Sequence, residues 1–338
     1  MVGEMETVYV IAEAGVNHNG CIHRAKRMVE VAAESGANAI KFQTFTAEKL
    51  LTPNAPKADY QLQSTDCNES QFEMIRSLEL SDEAHRALIA QCRECNIEFM
   101  SSAFDIEGLA YLYDLGMRTF KIPSGEITNL PYLRAIGKLA SEALVSTGMA
   151  SIEEVQASVN VIEDAGVGRD RIFVLQCHTE YPTKIEDVNL RAMEQMGKML
   201  GVKYGYSDHT VGHEVALAAT ALGASVIEKH FTLDRELPGP DHKASIEPNQ
   251  LREMILGIRK VEAALGSSCK QPTPVELKNR EIVRKSIFAA ESIKRGDEIT
   301  EASVSIKRPG TGLSPMHWDQ VIGSTARKDF RKHDPIEL

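Results

Sequence analysis

The chain is short of positive charge: 38 Lys and Arg against 48 Asp and Glu in 338 residues, a formal net charge of −10. A nucleic-acid binder needs a basic face to displace phosphate counterions, so this balance argues against that class. An anionic small molecule would have to be met by a local cluster of cations. Long apolar runs are missing as well, so no segment reads as a membrane span. Residues 1–7 carry Glu4 and Glu6 and lack the basic head of a secretory signal, which gives a cytoplasmic expectation. The cysteines number six, are scattered, and fit reduced thiols. Cys92 and Cys95 form a lone CxxC inside a helical pattern with no second pair, and it reads as incidental. No GxGxxG follows the first apolar run, and repeats and low-complexity tracts are absent.

What remains is a regular alternation. Apolar runs at 8–12, 39–42, 98–101, 119–122, 143–146, 172–176, 203–206 and 226–228 are separated by amphipathic stretches such as 22–35, 82–95, 152–165 and 214–222. Ser151 and Glu154 have the spacing of a capping box that opens a helix. Strands that alternate with helices pair in parallel, and eight such units predict a closed (β/α)8 TIM barrel. A helix over 249–265 completes it. The runner-up is an open doubly wound sheet. The predicted organisation is a catalytic barrel over 1–266, a linker over 267–282, and a small β-rich domain over 283–338. Pro272 and Pro274 mark the linker, and turn residues punctuate the tail.

In such a barrel the active site lies at the C-terminal ends of the strands. Read in order, those ends carry Glu13 and Asn17-His18-Asn19-Gly20, Lys41 and Gln43, Ser101 and Ser102, Lys121 with Ser124-Gly125-Glu126, Ser146-Thr147-Gly148, Cys177 with His178 and Tyr181, Ser207-Asp208-His209, and His230. Helix capping accounts for the serines and Asp208, but not for two lysines and two histidines. Lys41 and Gln43 share one face of a strand end, so an inward Lys41 is a buried cation in need of an anion. Taken singly, each lysine is satisfied by a salt bridge to Glu13 or Glu126. Together with serines and helix N-termini they make a cradle for phosphate and carboxylate. His209 and His230 end neighbouring strands and, with Asp208, Glu13 or Asp241 nearby, are candidate ligands for Mn²⁺, Zn²⁺ or Fe²⁺.

These residues, taken as an ordered set, resemble the bacterial sialic acid synthases. The likeness rests on Ala12-Glu13-Ala14-Gly15-Val16-Asn17-His18-Asn19-Gly20, Lys41-Phe42-Gln43-Thr44, Lys121-Ile122-Pro123-Ser124-Gly125-Glu126 and Ser146-Thr147-Gly148-Met149. It continues through Ser207-Asp208-His209-Thr210, Glu228-Lys229-His230-Phe231-Thr232 and Gly239-Pro240-Asp241-His242. Lys307-Arg308-Pro309-Gly310-Thr311-Gly312 resembles their antifreeze-like (SAF) domain. The resemblance implies Mn²⁺, or another divalent metal, on His209 and His230. It implies phosphoenolpyruvate on Lys41, Ser102, Lys121, Ser124, Ser146 and Ser207, and an N-acetylated mannose-type sugar against Gln43, Glu126, Tyr181 and Asp241. Glu13 would act beside the reacting carbons. Arg308 would reach the sugar of a partner chain within a domain-swapped homodimer. The implied reaction condenses the two substrates with water to a nine-carbon 2-keto acid plus phosphate.

Departures from the family pattern fall at Ser101-Ser102-Ala103-Phe104, Gln176-Cys177-His178 and Lys184, and bear on the shape of the sugar pocket. The sugar stays open between N-acetylmannosamine and a 2,4-diacetamido-2,4,6-trideoxymannose. The segment from Ala55 to Leu62 resembles loops of both branches. Two rival readings are another metal-dependent barrel aldolase or synthase acting on pyruvate or phosphoenolpyruvate, and a non-enzymatic carbohydrate-binding protein.

Overall fold

The structure, a computed structural model, describes residues 7–52, 55, 57 and 70–338. Residues 1–6, and all of the segment from Ala55 to Leu62 except Ala55 and Lys57, lie outside the described residues. The chain divides into two compact units, Met1–Gly266 and Ser267–Leu338.

The first unit holds the eight expected strands: β1 Tyr9–Gly15, β2 Ala39–Thr44, β3 Glu98–Ala103, β4 Thr119–Ile122, β5 Glu142–Ser146, β6 Ile172–Cys177, β7 Lys203–Asp208 and β8 Val226–His230. They form one parallel sheet in the order β3-β2-β1-β8-β7-β6-β5-β4, and β3 lies against β4 to close the ring. This is the (β/α)8 barrel. Five of the eight strands, β1, β2, β3, β7 and β8, run two or more residues past the predicted C-terminal end. The apolar pattern stops where the strands become polar, but the hydrogen-bond ladder continues through Gln43↔Ser102, Cys177↔Ser207 and Asp208↔Lys229. Polar mouth residues are therefore part of the sheet and inherit its rigidity.

Outside the sheet lie helices α1 Ile22–Glu34, α2 Ala47–Leu50, α3 Gln71–Ser77, α4 Asp82–Glu94, α5 Ile106–Asp114, α6 Leu130–Leu139, α7 Ile152–Ala165, α8 Arg191–Leu200, α9 Glu214–Ala221 and α10 Pro248–Leu265. The capping box of Ser151 and Glu154 opens α7 as its spacing requires. Gly137 lets α6 approach α7 closely: a Cβ there would stand 2.3 Å from the Ala165 Cβ. Inside the ring, Tyr9, Ile11, Ala39, Met100, Leu144, Phe173, Leu175 and Val226 form a buried apolar plug below the mouth. These side chains share strand faces with Glu13, Lys41, Ser102, Ser146, Cys177 and Glu228, two to four residues nearer the C-terminal ends.

The second unit opens with helix α11 Pro274–Val283, which occupies the second half of the stretch predicted as a linker, 267–282, and ends one residue past it. Its start was written in the sequence: Thr273 accepts from the Glu276 amide in a capping box, and Pro274 takes the first turn. Strands β9 Ser286–Ala289 and β10 Val304–Lys307 pair antiparallel over a core that includes Ile287, Ile293, Ile299, Val321, Phe330 and Ile336. Helix α12 Trp318–Val321 packs on it. Arg308 follows β10 and is exposed. Ser286 ties down the loop behind it, donating to the Pro309 carbonyl (2.8 Å) and accepting from the Gly312 amide (2.9 Å).

Candidate active site

A cleft of about 210 Å³ opens at the C-terminal ends of the strands. Its depth is a cluster of four charges. Lys41 Nζ stands 2.8 Å from a Glu13 carboxylate oxygen and 3.7 Å from Glu228, and Lys121 Nζ donates to Glu228 Oε1 at 2.7 Å. All four side chains are at most 5 % exposed. Lys121 thus pairs with Glu228 and not with Glu126. Glu126 lies on a single turn beyond β4, accepts from Asn129 Nδ2, and does not line the cleft. Alternation along β8 explains Glu228: it shares a face with His230, whose direction into the mouth fixes that of Glu228 two residues earlier.

Burial, joined by the Glu228 charge, lifts Glu13 to about 7 even though Lys41 opposes the shift. Burial works against Lys41, but Glu13 and Glu228 outweigh it and raise its pKa. Glu228, despite its burial, is held well below the usual carboxylate range by Lys121 and Lys41. The cluster therefore keeps one firm anion and one carboxylate that exchanges its proton near neutrality. When Glu13 is protonated, the lysines carry an excess of positive charge toward the cleft.

Serine hydroxyls surround this cluster, and they cap no helix. Ser102 Oγ accepts from Lys41 Nζ (3.2 Å), Ser207 Oγ donates to Glu228 Oε1 (2.9 Å), and Ser124 Oγ accepts from the Gly148 amide (3.0 Å). Ser146 Oγ is buried without a partner. Higher in the cleft, Gln43, Phe104, Pro123, Met149, Cys177, Thr179 and Tyr181 complete the wall. Cys177 and Phe104 were named at the strand ends but given no role there, although the period-two pattern of β6 turns Cys177 inward with Phe173 and Leu175.

The two imidazoles lie on one side of the cleft, ring centroids 5.3 Å apart. His209 Nδ1 is bonded to the His178 carbonyl (2.5 Å), and its Nε2 meets the Tyr181 hydroxyl (3.1 Å). His230 Nδ1 is buried with no hydrogen-bond partner, 4.0 Å from Asp241 Oδ2. Burial and the neighbouring His209 push the His230 pKa well down, so the ring is the neutral species that ligates metals. Asp241 is raised to about 6 by its burial. It is not among the residues that line the cleft. Asp208, considered as a neighbour of the metal, instead faces away from the cleft and pairs with Lys229.

This donor set fits a divalent cation. One imidazole has a nitrogen fixed by a backbone carbonyl, as ligating histidines do, and the other has an orphaned buried nitrogen. Among the described residues no cluster of three or more His, Cys, Asp or Glu side chains is arranged around a metal position. The protein would therefore supply two ligands and leave the other positions to substrate or water, the form of an open, catalytic site.

Comparison with known proteins adds to this geometry. The NeuB family model matches residues 28–270, and the SAF domain model matches residues 284–338. An N,N'-diacetyllegionaminic acid synthase of Campylobacter jejuni is 46% identical over 98% of this chain and 99% of its own. Its namesake from Legionella pneumophila is 41% identical over 95% and 91%. A crystal structure of an N-acetylneuraminic acid synthetase from Leptospira borgpetersenii, in complex with citrate, superposes with a TM-score of 0.73 at 31% identity over 81% of this chain and 90% of that one.

Proposed function

The chain belongs to the NeuB family, and from that premise we propose that it condenses phosphoenolpyruvate with an N-acetylated mannose-type sugar and water, releasing phosphate. The observation that carries the reading is the buried pair Lys41 and Lys121 facing the cleft amid four serines. A small, doubly anionic substrate is the ligand such a cradle takes. Its phosphate and carboxylate displace the lysines from Glu13 and Glu228, and Ser146 gives its unused hydroxyl to the new anion.

The enol carbon of phosphoenolpyruvate attacks the aldehyde carbon of the open-chain sugar. The cation left at C2 takes a water oxygen, and the C2–O bond to phosphate then breaks. Lys41 and Lys121 offset the anionic charge that shifts onto phosphate as it leaves. Glu13, near neutrality in its protonation, is suited to move the protons of the alkoxide and the water. His209 and His230 would hold Mn²⁺, which supplies Lewis-acid polarisation of the sugar aldehyde when bound. A location in the cytoplasm, where phosphoenolpyruvate is made, is part of the same reading; no described helix is long and apolar enough to cross a membrane.

For the sugar we favour a 2,4-diacetamido-2,4,6-trideoxymannose, giving N,N'-diacetyllegionaminate. The relatives at 46% and 41% identity are named for that product. The rim of Phe104, Pro123, Met149 and Tyr181 offers apolar surface for its extra methyl groups. Direct competition tests the choice: this sugar should be consumed in preference to N-acetylmannosamine at equal concentration. The reverse preference would make the chain an N-acetylneuraminate synthase, as the name of the Leptospira relative suggests.

Arg308 is assigned to the sugar site of a second copy within a two-fold dimer. Arg308→Ala and His230→Ala proteins should each be nearly inactive. After verified subunit exchange, about half the dimers are mixed and each has one complete site, so roughly a quarter of wild-type activity should return. No recovery would show that Arg308 does not act across a dimer.

A further inference from the structure

The alternation that turns Ser207, His209, Glu228 and His230 into the mouth turns Asp208 and Lys229 outward, behind the two imidazoles. These two residues lie opposite each other in the β7–β8 ladder. Both side chains are fully buried, with Lys229 Nζ 2.9 Å from Asp208 Oδ2. The ammonium also donates to the Thr210 carbonyl (2.6 Å). The other Asp208 oxygen accepts from the Thr210 amide (2.9 Å) and hydroxyl (2.7 Å). On the far side, the His209 carbonyl accepts from the Thr183 amide (2.9 Å). The backbone on either side of His209 is thus tied down, and one of the ties is the residue immediately before His230.

A dry ion pair is a costly way to join two strands. Apolar residues of similar volume often do as well or better. What they cannot supply is direction. Lys229 and Asp208 hold one turn, residues 208–210, to one point on β8, and nothing in the condensation needs either charge. We propose that Asp208 and Lys229 are a positioning pair that sets the spacing and tilt of His209 and His230, whose rings stand 5.3 Å apart at 64°, for a divalent cation. The inference rests on the reading of those histidines as metal ligands.

The test is Mn²⁺ binding to the full-length protein without substrates, followed by loss of the free-ion electron paramagnetic resonance signal. It needs no turnover. The variants are His209→Ala, Lys229→Met, and the double change Asp208→Asn with Lys229→Met, which removes both charges and keeps the volume. Ile136→Ala, on the buried face of α6, is a control for general loosening. The double variant should bind Mn²⁺ about 10–100-fold more weakly, the usual cost of losing groups that orient a metal ligand. Ile136→Ala should bind as wild type does, however far its melting temperature falls. Lys229→Met leaves a lone buried carboxylate and should weaken Mn²⁺ binding at least as much; where it does not fold, the double variant decides. Wild-type affinity in the double variant, with His209→Ala defective, overturns the positioning role and leaves the metal site standing. Wild-type affinity in His209→Ala overturns the metal reading itself, and the positioning role with it.

Discussion

The two ends of the barrel both bury charge, and they treat it differently. At the N-terminal ends, buried Glu142 accepts from Arg171 Nη1 (3.0 Å) and Thr119 Oγ1 (3.3 Å), and the buried Tyr9 hydroxyl donates to Glu98, which is itself exposed. No polar side-chain atom of these five residues is buried without a partner. At the C-terminal ends, Ser146 Oγ and His230 Nδ1 are buried without a hydrogen bond, and the outer oxygens of Glu13 and Glu228 are met only by the Lys41 charge that a ligand would compete for. Leaving a buried polar group unmatched costs about 1–3 kcal/mol. The floor avoids that cost and the mouth accepts it. Satisfied buried polarity holds a fold together, whereas unsatisfied buried polarity at strand ends is capacity held for a ligand.

One substitution at each end tests this contrast. Lys121→Met at the mouth should lower kcat/KM by roughly 10²–10³-fold, the scale seen when one preorganised group that stabilises transition-state charge is lost. Glu142→Gln at the floor should cost about 1–3 kcal/mol of stability, read in denaturant melts, with kcat/KM unchanged. Equal effects on activity would erase the distinction between the ends.

A smaller effect sharpens it. Glu13 has a folded pKa of about 7, raised above its value in an unfolded chain. The folded state then binds the extra proton more tightly, so the contribution of Glu13 to stability is full below the unfolded carboxylate pKa and is lost as pH rises through about 7. In chelated, substrate-free protein, wild type should therefore lose stability between about pH 5 and pH 8 relative to Glu13→Gln. Identical pH profiles for the two proteins would mean that Glu13 is no more protonated in the fold than in water.

Much of this was legible in the sequence, for a physical reason. Apolar runs alternating with amphipathic helices pointed to the barrel, and the polar residues ending each run named most of the mouth. Strand ends were harder, because apolar pattern was the guide and the ladder continues beneath polar residues. Stopping β8 at Glu228 hid its partnership with Lys121, although Glu228 and His230 are two apart and must share a face. The same rule, applied to Ser207-Asp208-His209, would have turned Asp208 away from the metal. Helix α11 was announced by Thr273 and Glu276 and overlooked because prolines nearby suggested a linker. Pairings across the ring, such as Lys121 with Glu228, join residues 107 apart, and local patterning carries no record of them.

The account stands or falls on what the mouth does with phosphoenolpyruvate. The direct measurement is the reaction in ¹⁸O-labelled water, with phosphate and keto acid analysed separately by mass. Phosphate should be released only when the acetamido sugar is present, with the label in the keto acid and none in the phosphate, because water adds at C2 and the C–O bond breaks. Label found only in phosphate, or release that proceeds without sugar, would contradict it.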